Sequence, residues 1–193
     1  ATDVYRKRVI QLGENPERVH LVGGLGVDGI KKTKLLSKDK LEKRLNFKFT
    51  EKVFLITFHP VTLENKTSED QFLTLLQVFD SMNDIKLIFT KSNSDTHGRI
   101  INEMIDNYVS QNRNAISFKS MGQLNYLSSL QFVDAVVGNS SSGLLEAPSF
   151  KIGTINIGDR QKGRMSSESV INCDPNKNSL KKAFKLLDSS EFK

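Results

Sequence analysis

The sequence predicts an α/β fold built on a doubly wound parallel sheet, and three features carry the prediction. Short, nearly continuous apolar runs recur between residues 53 and 172, helically spaced apolar residues separate most of them, and the runs end in loops of small and polar residues. Strands buried on both faces read as unbroken apolar stretches. Strand–helix alternation over roughly six repeats implies right-handed crossovers and parallel strands.

In order, residues 4–12 read as a helix that stops near Gly13, and residues 18–22 as a strand. Gly23-Gly24-Leu25-Gly26 is a flexible turn, because glycine reaches backbone angles closed to other residues. Residues 1–28 are therefore expected to be the tail of a preceding domain plus a hinge, and residues 29–193 one Rossmann-like domain. A charged amphipathic helix follows over residues 37–45, with Ser37 as cap, Asp39 in the first turn, and Leu36, Leu41 and Leu45 facing inward. The strand 53–58 ends at His59-Pro60. Phe72, Leu75, Leu76, Phe79 and Met82 mark a helix starting at a Ser68 cap with Glu69 and Asp70 behind it. Residues 85–90 form a strand, and Ile100, Ile101, Met104, Ile105 and Tyr108 a helix. A strand at 115–118, a weaker helical pattern at Leu124, Leu127 and Leu130, and strands at 134–137, 154–157 and 169–172 complete the alternation.

The 193 residues carry 28 Lys+Arg against 22 Asp+Glu, a formal charge of +6, and 37% apolar residues, enough for a globular core. Only 12 Gly and 4 Pro exclude collagen-like or low-complexity character. No apolar run approaches the roughly 20 residues of a membrane helix. Cys173 is alone, so no intrachain disulfide forms and a reducing, cytoplasmic setting is expected. The chain starts Ala-Thr-Asp with no signal-peptide pattern and reads as a piece of a longer protein. The excess charge crowds into residues 31–52, where only Phe47 and Phe49 could stack on a base; this is a solvated helical face, and no nucleic-acid or membrane partner is expected.

In an open parallel sheet, ligands bind beyond the carboxyl ends of the strands, which turns the loops there into candidates. Gly138-Asn139-Ser140-Ser141-Ser142-Gly143 follows a buried strand and precedes helical Leu144-Leu145-Glu146-Ala147, so its amides could face an anion at a helix N-terminus or simply form a cap. Glu146, about one turn into that helix, could hold vicinal hydroxyls or serve as a first-turn acid. Arg160 and Arg164 flank Gly163 and could clamp a phosphate or be solvated. His59 is structural, or else a hydrogen-bond donor, an acid–base group or a phosphate partner. There is no Walker A loop, dinucleotide fingerprint, serine triad or zinc spacing, so no metal and no cofactor are expected.

His59-Pro60-Val61-Thr62, the Gly138–Gly143 loop with Glu146, and Asn156-Ile157-Gly158-Asp159-Arg160-Gln161-Lys162-Gly163-Arg164 stand in one order and spacing. Together they resemble the hydrolysing UDP-N-acetylglucosamine 2-epimerases of sialic-acid-type sugar biosynthesis. The resemblance covers nearly the whole chain and implies the C-terminal half of a glycosyltransferase-B (GT-B) type fold, with residues 29–193 the UDP-binding domain. It implies a UDP-sugar substrate, catalytic His59 beside the phosphates, Ser140 and Ser141 on the diphosphate, Glu146 on the ribose and Arg160 near the ligand. Met121 and Tyr126 would line the uracil pocket, and Asn93 would be a further polar contact. Thr90-Lys91-Ser92 stands where relatives often carry a proline. The implied reaction removes the proton at sugar carbon two, eliminates UDP in anti fashion and adds water to give an N-acetylmannosamine-type free sugar. The carboxylates for that chemistry would lie in an N-terminal domain outside this chain, and the parent could be a homo-oligomer. A UDP-sugar glycosyltransferase, a non-hydrolysing 2-epimerase and a stand-alone nucleotide-sugar binding module use the same fold and are the alternatives.

Overall fold

A computed structural model describes residues 2–50, 52–61, 67–92, 96–190 and 192. The chain separates into two compact units, Ala1–Lys34 and Leu35–Lys193.

The first unit holds α1 (Asp3–Gln11), a 3-10 turn (Pro16–Arg18) and α2 (Leu25–Lys32). Thr2 caps α1 by accepting from the Tyr5 amide, and the chain leaves the helix through Gly13 at φ 108°. Arg6 folds the following segment back by donating from Nε to the Val19 carbonyl at 2.9 Å and from Nη2 to the Pro16 carbonyl at 3.2 Å. The strand expected at residues 18–22 does not form. A strand needs a ladder partner for its amides and carbonyls, and the described residues of this unit supply none. The glycine turn is in part helical, since Leu25 and Gly26 open α2.

The second unit is a six-stranded, wholly parallel sheet with helices between its strands. Its strands are β1 (Lys52–Thr57), β2 (Ile85–Thr90), β3 (Ala115–Phe118), β4 (Ala135–Gly138), β5 (Gly153–Ile157) and β6 (Val170–Cys173). They lie in the order β3-β2-β1-β4-β5-β6, the doubly wound order, so the direction of winding reverses between β1 and β4. The register there pairs Phe54 with Ala135 and Thr57 with Gly138. In an open parallel sheet that reversal marks the place, beyond the carboxyl ends of the strands, where ligands bind.

Helices α3 (Lys38–Leu45), α4 (Thr67–Asp80), α5 (Thr96–Gln111) and α6 (Gly122–Ser129) follow the predicted pattern. A single-turn α7 (Ser142–Leu145) and α8 (Lys177–Leu187) complete the unit. Helix α8 was legible but not anticipated: Asn176 caps it by accepting from the Ser179 amide, and Leu180, Ala183, Phe184 and Leu187 are buried at helical spacing. Two expected caps differ. Ser37 precedes α3 but makes no capping bond. Ser68 lies inside α4, buried, where its hydroxyl accepts from the Val61 amide at 3.1 Å and ties the β1 loop down.

One face of the sheet is packed by a phenylalanine cluster. Phe54 lies against Phe79 and Phe184, and Phe72 bridges Phe58 and Phe89. On α3, Glu42 turns inward with Leu41 and Leu45; its carboxylate accepts from Lys48 Nζ at 2.7 Å and the Phe49 amide at 2.9 Å, and the Lys48 bond holds its pKa below the ordinary range. No helix among the described residues is long and apolar enough to cross a membrane.

Candidate functional site

Gly138 decides how β4 ends at the carboxyl edge. It ends β4 at φ 133°, and a Cβ there would stand 2.1 Å from the Thr57 carbonyl oxygen, so only glycine lets β4 remain paired while the chain turns off. Gly143 is constrained by packing, since an added Cβ would meet Thr154 Cγ2 at 2.5 Å, and Thr154 is itself held by donating to the Gly143 carbonyl at 2.8 Å. Between these glycines, the amides of Ser140 and Ser141 donate to no group among the described residues. Both amides are thus available to an acceptor.

Glu146 stands one turn beyond the start of α7, as expected, but as its C-cap and not as a first-turn acid, and residues Ala147–Phe150 then form a 3-10 turn. Pro148 explains the break: it has no amide hydrogen and its ring would clash with the carbonyl four residues back. The macrodipole of this single turn is correspondingly small. What orients Glu146 is a side-chain chain. Ser142 Oγ donates to Glu146 Oε2 at 2.6 Å, and the Tyr126 hydroxyl is hydrogen-bonded to the same Ser142 oxygen. Burial raises the Tyr126 phenol to about 12, opposed by the Ser142 bond and reinforced by the Glu146 charge.

On the other side, Asn139 is buried at 1% exposure and gathers the loops. Its side-chain Nδ2 donates to the His59 carbonyl and its Oδ1 accepts from the His59 amide, both at 2.7 Å. Its own carbonyl accepts from Arg160 Nη1 at 3.0 Å and Gln161 Nε2 at 2.7 Å. Arg160 has no carboxylate in ion-pair range among the described residues; desolvation and the neighbouring Arg164 pull its pKa below the ordinary value, and the guanidinium remains a cation that an anion would stabilise. A cavity of about 350 Å³ adjoins this loop, lined in part by Asn156, Gly158, Gln161, Arg164, Asn172 and Cys173. Asn156 and Gln161 each bring a buried amide oxygen without a partner among the described residues.

The structure therefore brings six of the candidate residues to the carboxyl edge: His59, Tyr126, Ser140, Ser141, Glu146 and Arg160. Met121 stands just ahead of α6, buried, its carbonyl accepting from Asn125 Nδ2 at 2.9 Å. Asn93 lies outside the described residues, but the preceding Ser92 is clipped by Asn102, which accepts from its amide at 3.0 Å and donates to its carbonyl at 3.1 Å. Sequence reasoning missed Asn139, Ser142 and Gln161 as organisers. The signal for Asn139 was its position, a polar residue directly after a buried strand. The signal for Ser142 was its i,i+4 spacing to Glu146, which neither Ser140 nor Ser141 has. Among the described residues no cluster of His, Cys, Asp and Glu could hold a metal ion.

The whole chain, residues 1–193, matches the family described as UDP-N-acetylglucosamine 2-epimerase. It is 44% identical over 192 residues to the GDP/UDP-N,N'-diacetylbacillosamine 2-epimerase (hydrolyzing) of Campylobacter jejuni, covering 99% of this chain and 50% of that protein. It is 34% identical over 174 residues to the UDP-N,N'-diacetylbacillosamine 2-epimerase (hydrolyzing) of Legionella pneumophila, covering 90% of this chain and 46% of that protein. The chain thus spans about half the length of the curated relatives it matches. Among solved structures, the Methanocaldococcus jannaschii UDP-GlcNAc 2-epimerase in complex with UDP-GlcNAc and UDP superposes with a TM-score of 0.70 at 16% identity, over 98% of this chain and 53% of that one. That likeness speaks for the fold, the GT-B type of these 2-epimerases, and the match along the chain's entire length speaks for its lineage. Matching that family over residues 1–193 and similar to hydrolysing relatives over 90–99% of its length, the chain belongs to the UDP-N-acetylglucosamine 2-epimerase family.

Proposed function

We propose that the chain is the UDP-binding half of a hydrolysing UDP-N-acetylhexosamine 2-epimerase, which converts its UDP-sugar and water to an epimerised free sugar and UDP. The observation that carries this reading is the convergence, at the switch point, of two amides and a guanidinium that meet, among the described residues, no acceptor and no carboxylate respectively, with an oriented Glu146. The amides of Ser140 and Ser141 with Arg160 hold the diphosphate, and Glu146 accepts from the ribose hydroxyls. Tyr126 and Met121 border the base, and Asn93 adds a polar contact. As the bond to sugar carbon one breaks, negative charge grows on the departing diphosphate, and fixed donors stabilise it more than they stabilise the bound substrate. His59 stands beside that charge and serves the departing group.

Proton removal at carbon two and delivery of water fall to groups outside this chain, so the chain alone binds UDP weakly and does not turn over. The names of the Campylobacter and Legionella relatives favour a diacetamido 6-deoxy sugar over plain N-acetylglucosamine. Calorimetric titration of the chain with UDP tests the binding, with saturable one-site uptake expected. In the longer protein, release of UDP together with a free 2-epimerised sugar is expected. Transfer of the sugar to an acceptor, or an epimerised product still carrying UDP, would replace this reading by a glycosyltransferase or a non-hydrolysing epimerase. Turnover by the isolated 193-residue chain at roughly 1 s⁻¹ or faster overturns the division of labour.

A further inference from the structure

We infer that Asn139 is a positioning residue that fixes His59 relative to the diphosphate-binding loop, an inference that rests on the UDP-binding reading above. The β1–β4 ladder ends at the Thr57–Gly138 pair, because Gly138 at φ 133° turns the chain out of the sheet. An ordinary loop would leave His59, two residues further on, with no rung to hold it. Asn139 supplies that rung with its side chain. A carboxamide presents a donor and an acceptor much as a peptide group does, and here it pairs with both the amide and the carbonyl of His59 at 2.7 Å. The sheet is thereby prolonged on the β1 side while β4 itself has already bent into the Ser140–Ser141 loop.

The backbone of the same residue completes the arrangement. The Asn139 amide donates to the Thr57 carbonyl at 3.1 Å, and its carbonyl takes Arg160 Nη1 and Gln161 Nε2. Every polar group of Asn139 is engaged, and the partners come from the ends of β1 and β5. A buried amide with four satisfied functions tolerates few alternative rotamers. Its side chain touches the His59 backbone and not the imidazole in any bond described, so it acts on the imidazole through placement. Asn102 makes the same pair of bonds to Ser92, but its carbonyl gathers no guanidinium; Asn139 alone among the described residues joins a clip to the cation of the site.

The test is a double-mutant cycle on UDP affinity in the chain, read by calorimetry beside thermal unfolding. His59→Ala is expected to weaken UDP binding by about tenfold in the unaltered chain but by less than about twofold in the Asn139→Ala background. Glu146→Gln, on a loop position with no bond to Asn139, is expected to cost the same factor in both backgrounds. A purely structural asparagine would lower the melting temperature and leave the His59→Ala factor unchanged, and that result overturns the proposal. Should Asn139→Ala fail to fold, amide hydrogen exchange at His59 in the unaltered chain decides. Protection comparable to β1, rising further with saturating UDP, supports the clip, and open-loop exchange rates overturn it. Absence of any UDP binding by the unaltered chain removes the functional reading and the positioning role together, whereas UDP binding with an additive cycle removes only the latter.

Discussion

Ser142 Oγ donates to Glu146 Oε2 at 2.6 Å while its oxygen also meets the Tyr126 hydroxyl, so one oxygen of the carboxylate is already engaged before any ligand arrives. A carboxylate has about four acceptor positions, and the Ser142 bond leaves the other oxygen for vicinal hydroxyls. Glu146→Ala is expected to weaken UDP binding by about 1–3 kcal/mol, and Ser142→Ala by about 0.5–1.5 kcal/mol, through loss of orientation. Titration with UDP and with 2',3'-dideoxy-UDP checks the assignment: the penalties should vanish for the analogue lacking both hydroxyls.

Arg160 reaches the site from β5 through its bond to the Asn139 carbonyl. Replacing it by alanine is expected to cost on the order of 1–3 kcal/mol in UDP affinity, and by lysine only part of that, since an ammonium keeps the charge but loses the planar fork. The Arg160→Ala protein should also show a flatter dependence of affinity on salt. Equal affinity of all three proteins for UDP would sink the assignment.

Gly138→Ala is expected to destabilise the unit by about 3 kcal/mol or more, because the methyl meets the Thr57 carbonyl and the backbone angle is hostile to alanine. Urea unfolding followed by circular dichroism measures it. A change within about 0.5 kcal/mol would mean that β4 can end differently.

Burial holds the Tyr126 phenol at about 12, above its ordinary value of 10.0. A raised folded pKa means that the folded protein keeps a proton the unfolded chain releases, so this stabilisation is complete below pH 10 and is lost as pH climbs toward 12. Wild type should therefore lose more stability across that interval than Tyr126→Phe does. The phenolate absorbance missing from Tyr126→Phe should appear only above pH 11 or so.

Cys173 carries a thiol that burial, and secondarily Asp174, pushes up to about 12. Disulfide exchange needs the thiolate, so the folded chain is expected to react with an aromatic disulfide reagent far more slowly at pH 8 than the urea-unfolded chain does. Equal rates would show that Cys173 is open.

The sheet was legible because its signal is redundant. Most of the six runs are apolar and short, and the central strands β1 and β4, buried almost throughout, admit little else. Helix α8 could have been read from Leu180, Ala183, Phe184 and Leu187. The strand expected around Val19–Leu21 illustrates the opposite case, since apolar residues alone do not make a strand where no partner edge exists. Within the site, loop composition located the backbone donors and the guanidinium. The Ser142–Glu146 contact was legible too, since the two residues stand at i,i+4 at a helix that Pro148 stops. The Asn139 clip was not, because it depends on Gly138 turning the chain off beside the end of β1, and no spacing rule encodes which strands lie side by side.

Pro148 halts α7 after a single turn, so little helix dipole stands behind the Ser140 and Ser141 amides. A long helix would draw any negative ion by a diffuse field. On the UDP-binding reading, attraction then falls to those two amides at contact range and to the Arg160 charge, which acts over a Debye length, ~10 Å at 0.1 M salt. Donors aimed in this way suit an oxyanion that brings an oxygen to each of them.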